Sequence, residues 1–283
     1  MDGPFLGSAA LAAGAVTRHE LRTRYVAIHK DVYVLKGTRP TGLVRAQACW
    51  LRSRGHGVLA GFSAAAVHGS RWIDPTLPAT IIDTNRRRTP GVLTWAAVLA
   101  DDEICTVDGM RVTTPARTAV DLARRYPLDA AITAVDALAR ATRLTVDAIE
   151  DAAAGHPGRH GLSRVREVLG LVDPGAESPR ETWLRLVVVR AGYPKPSTQL
   201  PVRNEYGVVI GTVDLGWIQP KIALEYEGKQ HRLSAEQFER DIRRYDEMID
   251  LGWIVIRVTS LDSEATVRTR VAEAWNRRAR RAG

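Results

Sequence analysis

Residues 214–231 read DLGWIQPKIALEYEGKQH, and this stretch decides how the C-terminal third of the chain is read. Two apolar, β-rich runs meet at Gln219-Pro220, a turn signal. Side chains alternate across a strand. Val209, Val213, Leu215 and Trp217 therefore share one face of the first run, and Ile222, Leu224 and Tyr226 share one face of the second. Burying both sets on the same side fixes the parity of pairing. The tightest register sets Leu215 opposite Leu224 and Val213 opposite Tyr226. It also sets Asp214 opposite Glu225 on the other face, with Glu227 further along that face.

Like charges across a hairpin destabilise it, so the acids need a neutralising partner. A divalent cation, a raised carboxyl pKa, or the nearby Lys229 and His231 would serve. An all-oxygen set suits Mg²⁺ or Mn²⁺, which polarises a phosphate and activates a water. A plain solvated hairpin face is the alternative.

The flanking sequence predicts an αβββαβα domain over residues 174–283. Ser178-Pro179-Arg180-Glu181 opens a helix that stops at Gly192. STQLPVRN and VVIGTVDLGW are strands, followed by KIALEYE. Ser234, with Gln237, caps a helix whose apolar stripe is Phe238, Ile242, Tyr245 and Ile249. WIVIRVT reads as a buried strand, and a last helix carries Val267, Val271 and Trp275.

This arrangement resembles the PD-(D/E)XK nuclease fold. More narrowly, residues 176–262 resemble the Vsr-like endonuclease domains, on VDLGW, KIALEYEGKQH and ERDIRRYDEMIDLGWIVIRVT. The resemblance implies that Asp214 and Glu225 hold the metal. Glu227 stands where the wider fold often has lysine, so Glu227 or Lys229 would manage the attacking water. His231 would orient that water or contact the scissile phosphate. Glu181 matches an acid on the first helix, and its spacing from Ser178 is equally that of a capping box. Asp241 and Arg244 make an ion pair, or Arg244 contacts DNA phosphate. The activity so implied is Mg-dependent DNA hydrolysis, in repair or in defence against phage and plasmids.

The N-terminal segment 1–40 reads as helix, turn, helix and hairpin, the outline of a winged helix or of a small α+β cap. Thr17 and Glu20 have capping-box spacing, and YVAIHKDVYVLKG is two short strands about a polar turn. Segment 41–173 is a mixed α/β domain. Its helices are GLVRAQACWLRSRG, SAAAVHG and TTPARTAVDLARRYP, with two more through Leu171. Its strands are ATIIDT, GVLTWAAV, EICTVDG and MRVTT. LVDPGAESP, 171–179, is the linker. Residues 1–170 resemble the AbiEi antitoxins on TRHELRTRY, DVYVLKG, FSAAAVHG and VTTPARTAVDLA. That resemblance implies a DNA-touching winged helix, with Arg18, Arg22 and Arg24 as phosphate contacts, and a second function: a non-catalytic DNA-binding regulator.

The expected fold class is thus α+β to α/β in three parts. A net charge of +8 over 283 residues suits a DNA partner. The excess is spread along the chain, with clusters at Arg86-Arg87-Arg88 and in NRRARRAG. No run of about 18 apolar residues exists, and the N-terminus lacks a basic region before its apolar stretch. Cys49 and Cys105 suggest no disulfide framework. A cytoplasmic location follows. A homo-oligomer stays open, and the sequence reveals no toxin partner.

Overall fold

Strand β1 (Phe5–Leu6) runs directly into α1 (Gly7–Ala12), and Thr17 then caps α2 (Arg18–Arg24). The computed structural model describes residues 3–155, 161–228 and 235–282. Thr17 Oγ1 accepts from Glu20 N at 3.1 Å, and Glu20 Oε2 accepts from Thr17 N at 2.9 Å. This is the reciprocal box that the spacing predicts. Strands β2 (Tyr25–His29) and β3 (Val32–Leu35) follow, giving an antiparallel sheet in the order β1-β3-β2. Strand β1 is an addition to the expected helices and hairpin, since two residues show no period. Asp31 turns the hairpin at φ 64°. Its carboxylate accepts from Ser8 N at 2.8 Å, Ser8 Oγ at 2.6 Å and Arg54 Nη2 at 2.8 Å. Ala10, Val16, Leu21 and Tyr25 form the core here.

The chain continues through α3 (Gly42–Arg52), β4 (Val58–Leu59), α4 (Gly61–Val67), β5 (Ala79–Ile82), β6 (Val92–Trp95), β7 (Ile104–Val107) and β8 (Met110–Thr113). The five strands form one mixed sheet in the order β6-β5-β4-β8-β7. Helices α5 (Pro115–Arg125), α6 (Leu128–Thr142), α7 (Val146–Ala154) and α8 (Leu162–Leu169) follow. Three helices follow α5, not the expected two. Arg143, at φ 56°, closes α6, and Thr145 caps α7. A left-handed non-glycine cap leaves no signal in the pattern. Buried Arg117 lies 2.8 Å from both Glu103 Oε2 and Asp121 Oδ2. All these elements belong to one compact unit, Met1–Pro174.

The second unit, Gly175–Gly283, contains α9 (Pro179–Arg190), β9 (Ser197–Arg203), β10 (Val209–Trp217), β11 (Ile222–Glu227), α10 (Ala235–Asp250), β12 (Ile254–Thr259) and α11 (Glu264–Ala282). Its sheet order is β12-β11-β10-β9, with β11 and β12 parallel. The hairpin register is Leu215↔Leu224, Gly216↔Ala223 and Trp217↔Ile222. Leu215, Trp217, Ile222 and Leu224 share a core with Leu184 and Val188 of α9 and Val267 and Val271 of α11. Within it Trp217 lies edge-on to Trp275, ring centroids 5.6 Å apart at 73°, and Tyr193 stacks on Trp275 at 5.5 Å.

The structure corrects three expectations in this unit. Val213 belongs to a different core, with Leu200, Ala223 and Met248, and Val209 is exposed. The strand changes face around Asp214, bracketed by Val213↔Leu200 and Leu215↔Thr198, where Gln199 of β9 takes φ 47°. On α10, Met248 is buried while Ile242 and Ile249 are 44% and 60% exposed. The apolar stripe is overridden because the packed face carries Arg244 and Tyr245 in polar contacts. Strand β12 is the expected buried strand only in part: Ile256 and Val258 are buried, but it lies at the sheet edge with Arg257 exposed. The expected cap at Ser234, and the side chains of Gln237 and Phe238, lie outside what is described. No helix among the described residues is long and apolar enough to cross a membrane.

Candidate functional site

Helix α9 starts where Ser178 Oγ accepts from Glu181 N at 3.3 Å. Ser178 Oγ also donates to Glu181 Oε1 at 2.9 Å. Glu181 Oε2 accepts from Glu177 N at 2.7 Å and from Gln199 Nε2 at 3.0 Å. Glu181 is buried, so it both caps its helix and reaches β9.

Asp214 Oδ2 accepts from Tyr226 N at 2.7 Å. A side chain thus supplies the link between β10 and β11 just past the Leu215↔Leu224 pair. Burial pushes the Asp214 carboxyl up to about 7, and the negative Glu181, Glu225 and Glu177 push the same way against the Tyr226 amide. Glu225 is 6% exposed. Its Oε1 lies 3.0 Å from Arg244 Nη1, and its Oε2 accepts from Arg244 Nη2 at 3.3 Å and from the Tyr245 hydroxyl. Burial raises its carboxyl too, against these donors. Burial first, and then Glu225, raise the Tyr245 phenol.

Arg244 reaches Glu225 by crossing Gly211. A Cβ at that position would stand 2.6 Å from Arg244 Cδ. Arg244 Nη1 also donates to Thr212 O at 3.3 Å, and Asp241 is more distant at 3.8 Å. The principal partner of Arg244 is therefore Glu225, not the Asp241 suggested by helical spacing. Glu227 lies 2.7 Å from Arg257 Nη2, and accepts from Arg257 Nε at 2.8 Å and from Tyr245 OH at 3.2 Å.

Asp214 and Glu225 thus act on one another as the hairpin pattern requires, Glu227 acts on Glu225, and Glu181 joins Asp214 from α9. Arg244, Arg257 and Tyr245 supply the compensation. Lys229 and His231 lie outside the described residues. Tyr245, Arg257 and Gln199 carry no sequence signal for these roles. Tyr245 reads as part of an apolar stripe, and Arg257 is brought beside the acids only by the parallel pairing of β11 with β12.

In the first unit, Arg18, Arg22 and Arg24 are exposed on α2. Arg24 lies 3.5 Å from Glu20. Lys36 Nζ donates to Arg22 O and Thr23 O at 3.2 and 2.8 Å, tying β3 to the end of this helix.

Residues 5–171 match the family model described as the AbiEi antitoxin C-terminal domain. Two Mycobacterium tuberculosis proteins, Uncharacterized protein MT2308 of strain CDC 1551 and Uncharacterized protein Rv2248 of strain H37Rv, are similar to the chain. Each is 31% identical over 204 residues, covering 72% of this chain and 74% of the relative. No solved structure matches. The family match takes in both sheets of the first unit and more than half the chain, and on it the chain belongs to the AbiEi antitoxin family.

Proposed function

We propose that this chain is a DNA-binding regulator of the antitoxin type, acting with a protein toxin. The match of residues 5–171 to an antitoxin domain carries the reading. The segment β1-α1-α2-β2-β3 is its winged helix, and α2 sets Arg18, Arg22 and Arg24 against backbone phosphates. Such binding releases counterions, so affinity falls steeply with salt. The test is fluorescence anisotropy on duplex DNA from upstream of its own coding sequence, across a salt series. The variant with all three arginines changed to Gln loses most of the affinity. Unchanged affinity and slope would overturn the reading.

One observation favours a second reading, a Vsr-like metal-dependent endonuclease in the second unit. Asp214 is buried where Glu181 and Glu225 both act on it, raising its carboxyl to about 7. As arranged, the residues do not fit a metal. Glu225 is engaged by Arg244 and Tyr245, and among the described residues no group of three His, Cys, Asp or Glu could hold an ion. Melting with Mg²⁺ or Mn²⁺ decides. A rise in Tm abolished by Asp214→Asn, together with metal-dependent cutting of plasmid, would move the assignment to the nuclease. No rise and no cutting leave the regulator.

A further inference from the structure

Between Asp31 and Asp74 the chain carries Lys36, Arg39, Arg45, Arg52, Arg54 and Arg71 and no carboxylate. Between Asp83 and Asp101 it carries Arg86, Arg87 and Arg88 and again none. The first unit brings parts of these two runs together beside the β2–β3 hairpin. Arg45 and Arg52 lie two turns apart on one side of α3. Arg52 Nη2 donates to Thr89 Oγ1 at 2.5 Å. Arg45 Nη1 lies against Gly91, where a Cβ would stand 3.8 Å away. Both guanidinium groups act on His29, and their charge adds to burial in disfavouring its protonation.

Arg45 Nε is buried and meets no hydrogen-bond partner. Among the described residues no carboxylate pairs with Arg45 or Arg52. Two acids come near. Asp83 acts on Cys49 of α3, and its Oδ1 already accepts from Asn85 N at 3.0 Å. Asp31 is taken by Ser8 and Arg54. A solvated arginine needs no partner, but a buried guanidinium nitrogen without one is costly. Guanidinium donors match the tetrahedral oxygens of phosphate, and the Thr89 hydroxyl adds a further polar group beside Arg52.

We propose that the basic surface where His29, Arg45 and Arg52 meet the Thr89–Gly91 turn binds a phosphate group. The phosphate comes from a nucleic-acid backbone or from a free phosphate ester. In the first case the proposal rests on the DNA-binding reading and extends the contact surface beyond α2.

The experiment has two arms on the full chain. In the first, Tm is followed with inorganic pyrophosphate against NaCl of equal ionic strength. Wild type gains several degrees over the chloride control, and the Arg45→Gln/Arg52→Gln pair gains none. The Arg45→Lys/Arg52→Lys pair keeps part of the gain. In the second arm, DNA affinity is measured against salt. The Gln pair reduces the slope of log K on log salt by about one to two, at about 0.9 per lost phosphate contact. Should the Gln pair fail to fold, Thr89→Glu sets a carboxylate beside Arg52 and abolishes the same responses.

Loss in both arms supports a backbone phosphate. Loss in the pyrophosphate arm alone supports a free phosphate ester. If Arg18, Arg22 and Arg24 matter for DNA while the Gln pair leaves both arms unchanged, this proposal is overturned and the DNA-binding reading stands. If wild type binds no DNA but the pyrophosphate response still needs Arg45 and Arg52, the DNA-binding reading fails and the phosphate surface stands.

Discussion

Arg244 Nη1 stands 3.0 Å from Glu225 Oε1, and through this contact helix α10 supplies a counter-charge to a carboxylate buried on β11. The pair is made possible by Gly211, which leaves room for the arginine to cross β10.

Removing that guanidinium leaves Glu225 buried with the Tyr245 hydroxyl as its remaining described donor. Arg244→Met is expected to cost about 2–4 kcal/mol, since breaking a partly buried pair strands a charge. Adding Glu225→Gln recovers part of the loss, because the two sites are coupled. Urea unfolding of the four proteins in the cycle measures the coupling energy. Strict additivity would show that the contact contributes nothing.

Asp214 makes the second unit sensitive to pH. Its folded pKa of about 7 lies above the ordinary value of 3.8. The folded state therefore holds the proton more tightly than the unfolded chain. The contribution is fully present below about pH 4 and is lost as pH rises through 7, up to about 4 kcal/mol at 1.36 kcal/mol per unit. Asp214→Asn keeps an acceptor for Tyr226 N and removes the titration. It is expected to be more stable than wild type at pH 8, with a flatter profile. A variant less stable at pH 8, with an unchanged profile, would refute the assignment.

In the first unit Arg117 lies 2.8 Å from both Glu103 and Asp121, and all three residues are buried. Arg117→Met removes the shared counter-charge of two buried acids, leaving Glu103 the Ala100 amide at 3.0 Å and Asp121 the more distant Arg124 and Arg125 at 3.9 and 3.8 Å. A loss of about 3–5 kcal/mol is expected, read as a lowered Tm. A change below about 1 kcal/mol would mean that the more distant arginines suffice.

On DNA, changing Arg18, Arg22 and Arg24 together to Gln lowers the salt slope by up to about three, at about 0.9 per phosphate contact. A salt titration by anisotropy gives the slope directly. Arg24 also pairs with Glu20 at 3.5 Å, so its single variant is expected to have the smallest effect of the three.

The sequence discloses what depends on neighbours along the chain. The Thr17–Glu20 box, the cap at Ser178 and the Leu215↔Leu224 register are all local, and each appears where spacing and alternation put it. What escapes is set by contacts distant in sequence. Strand β10 changes face at Asp214, beside Gln199 of another strand, which leaves regular β geometry. Ile242 and Ile249 face solvent because Arg244 and Tyr245 on α10 are claimed by Glu225 and Glu227 of β11. The acids of the site are legible because they share a hairpin. Their counter-charges are not, since Arg257 reaches them only across a parallel pairing and Arg244 only from a helix laid over β10.

The packing of Trp217 against Trp275, 5.6 Å apart with ring planes at 73°, makes the second unit its own optical probe. Two indoles so close share their excited states and give a paired ellipticity band that neither gives alone. The band requires β10 and α11 to be in place, so it vanishes when that core opens. Trp50, Trp72 and Trp95 belong to the first unit and lie outside this pair. Circular dichroism can therefore follow the carboxylate-bearing unit within the intact chain, with no label attached.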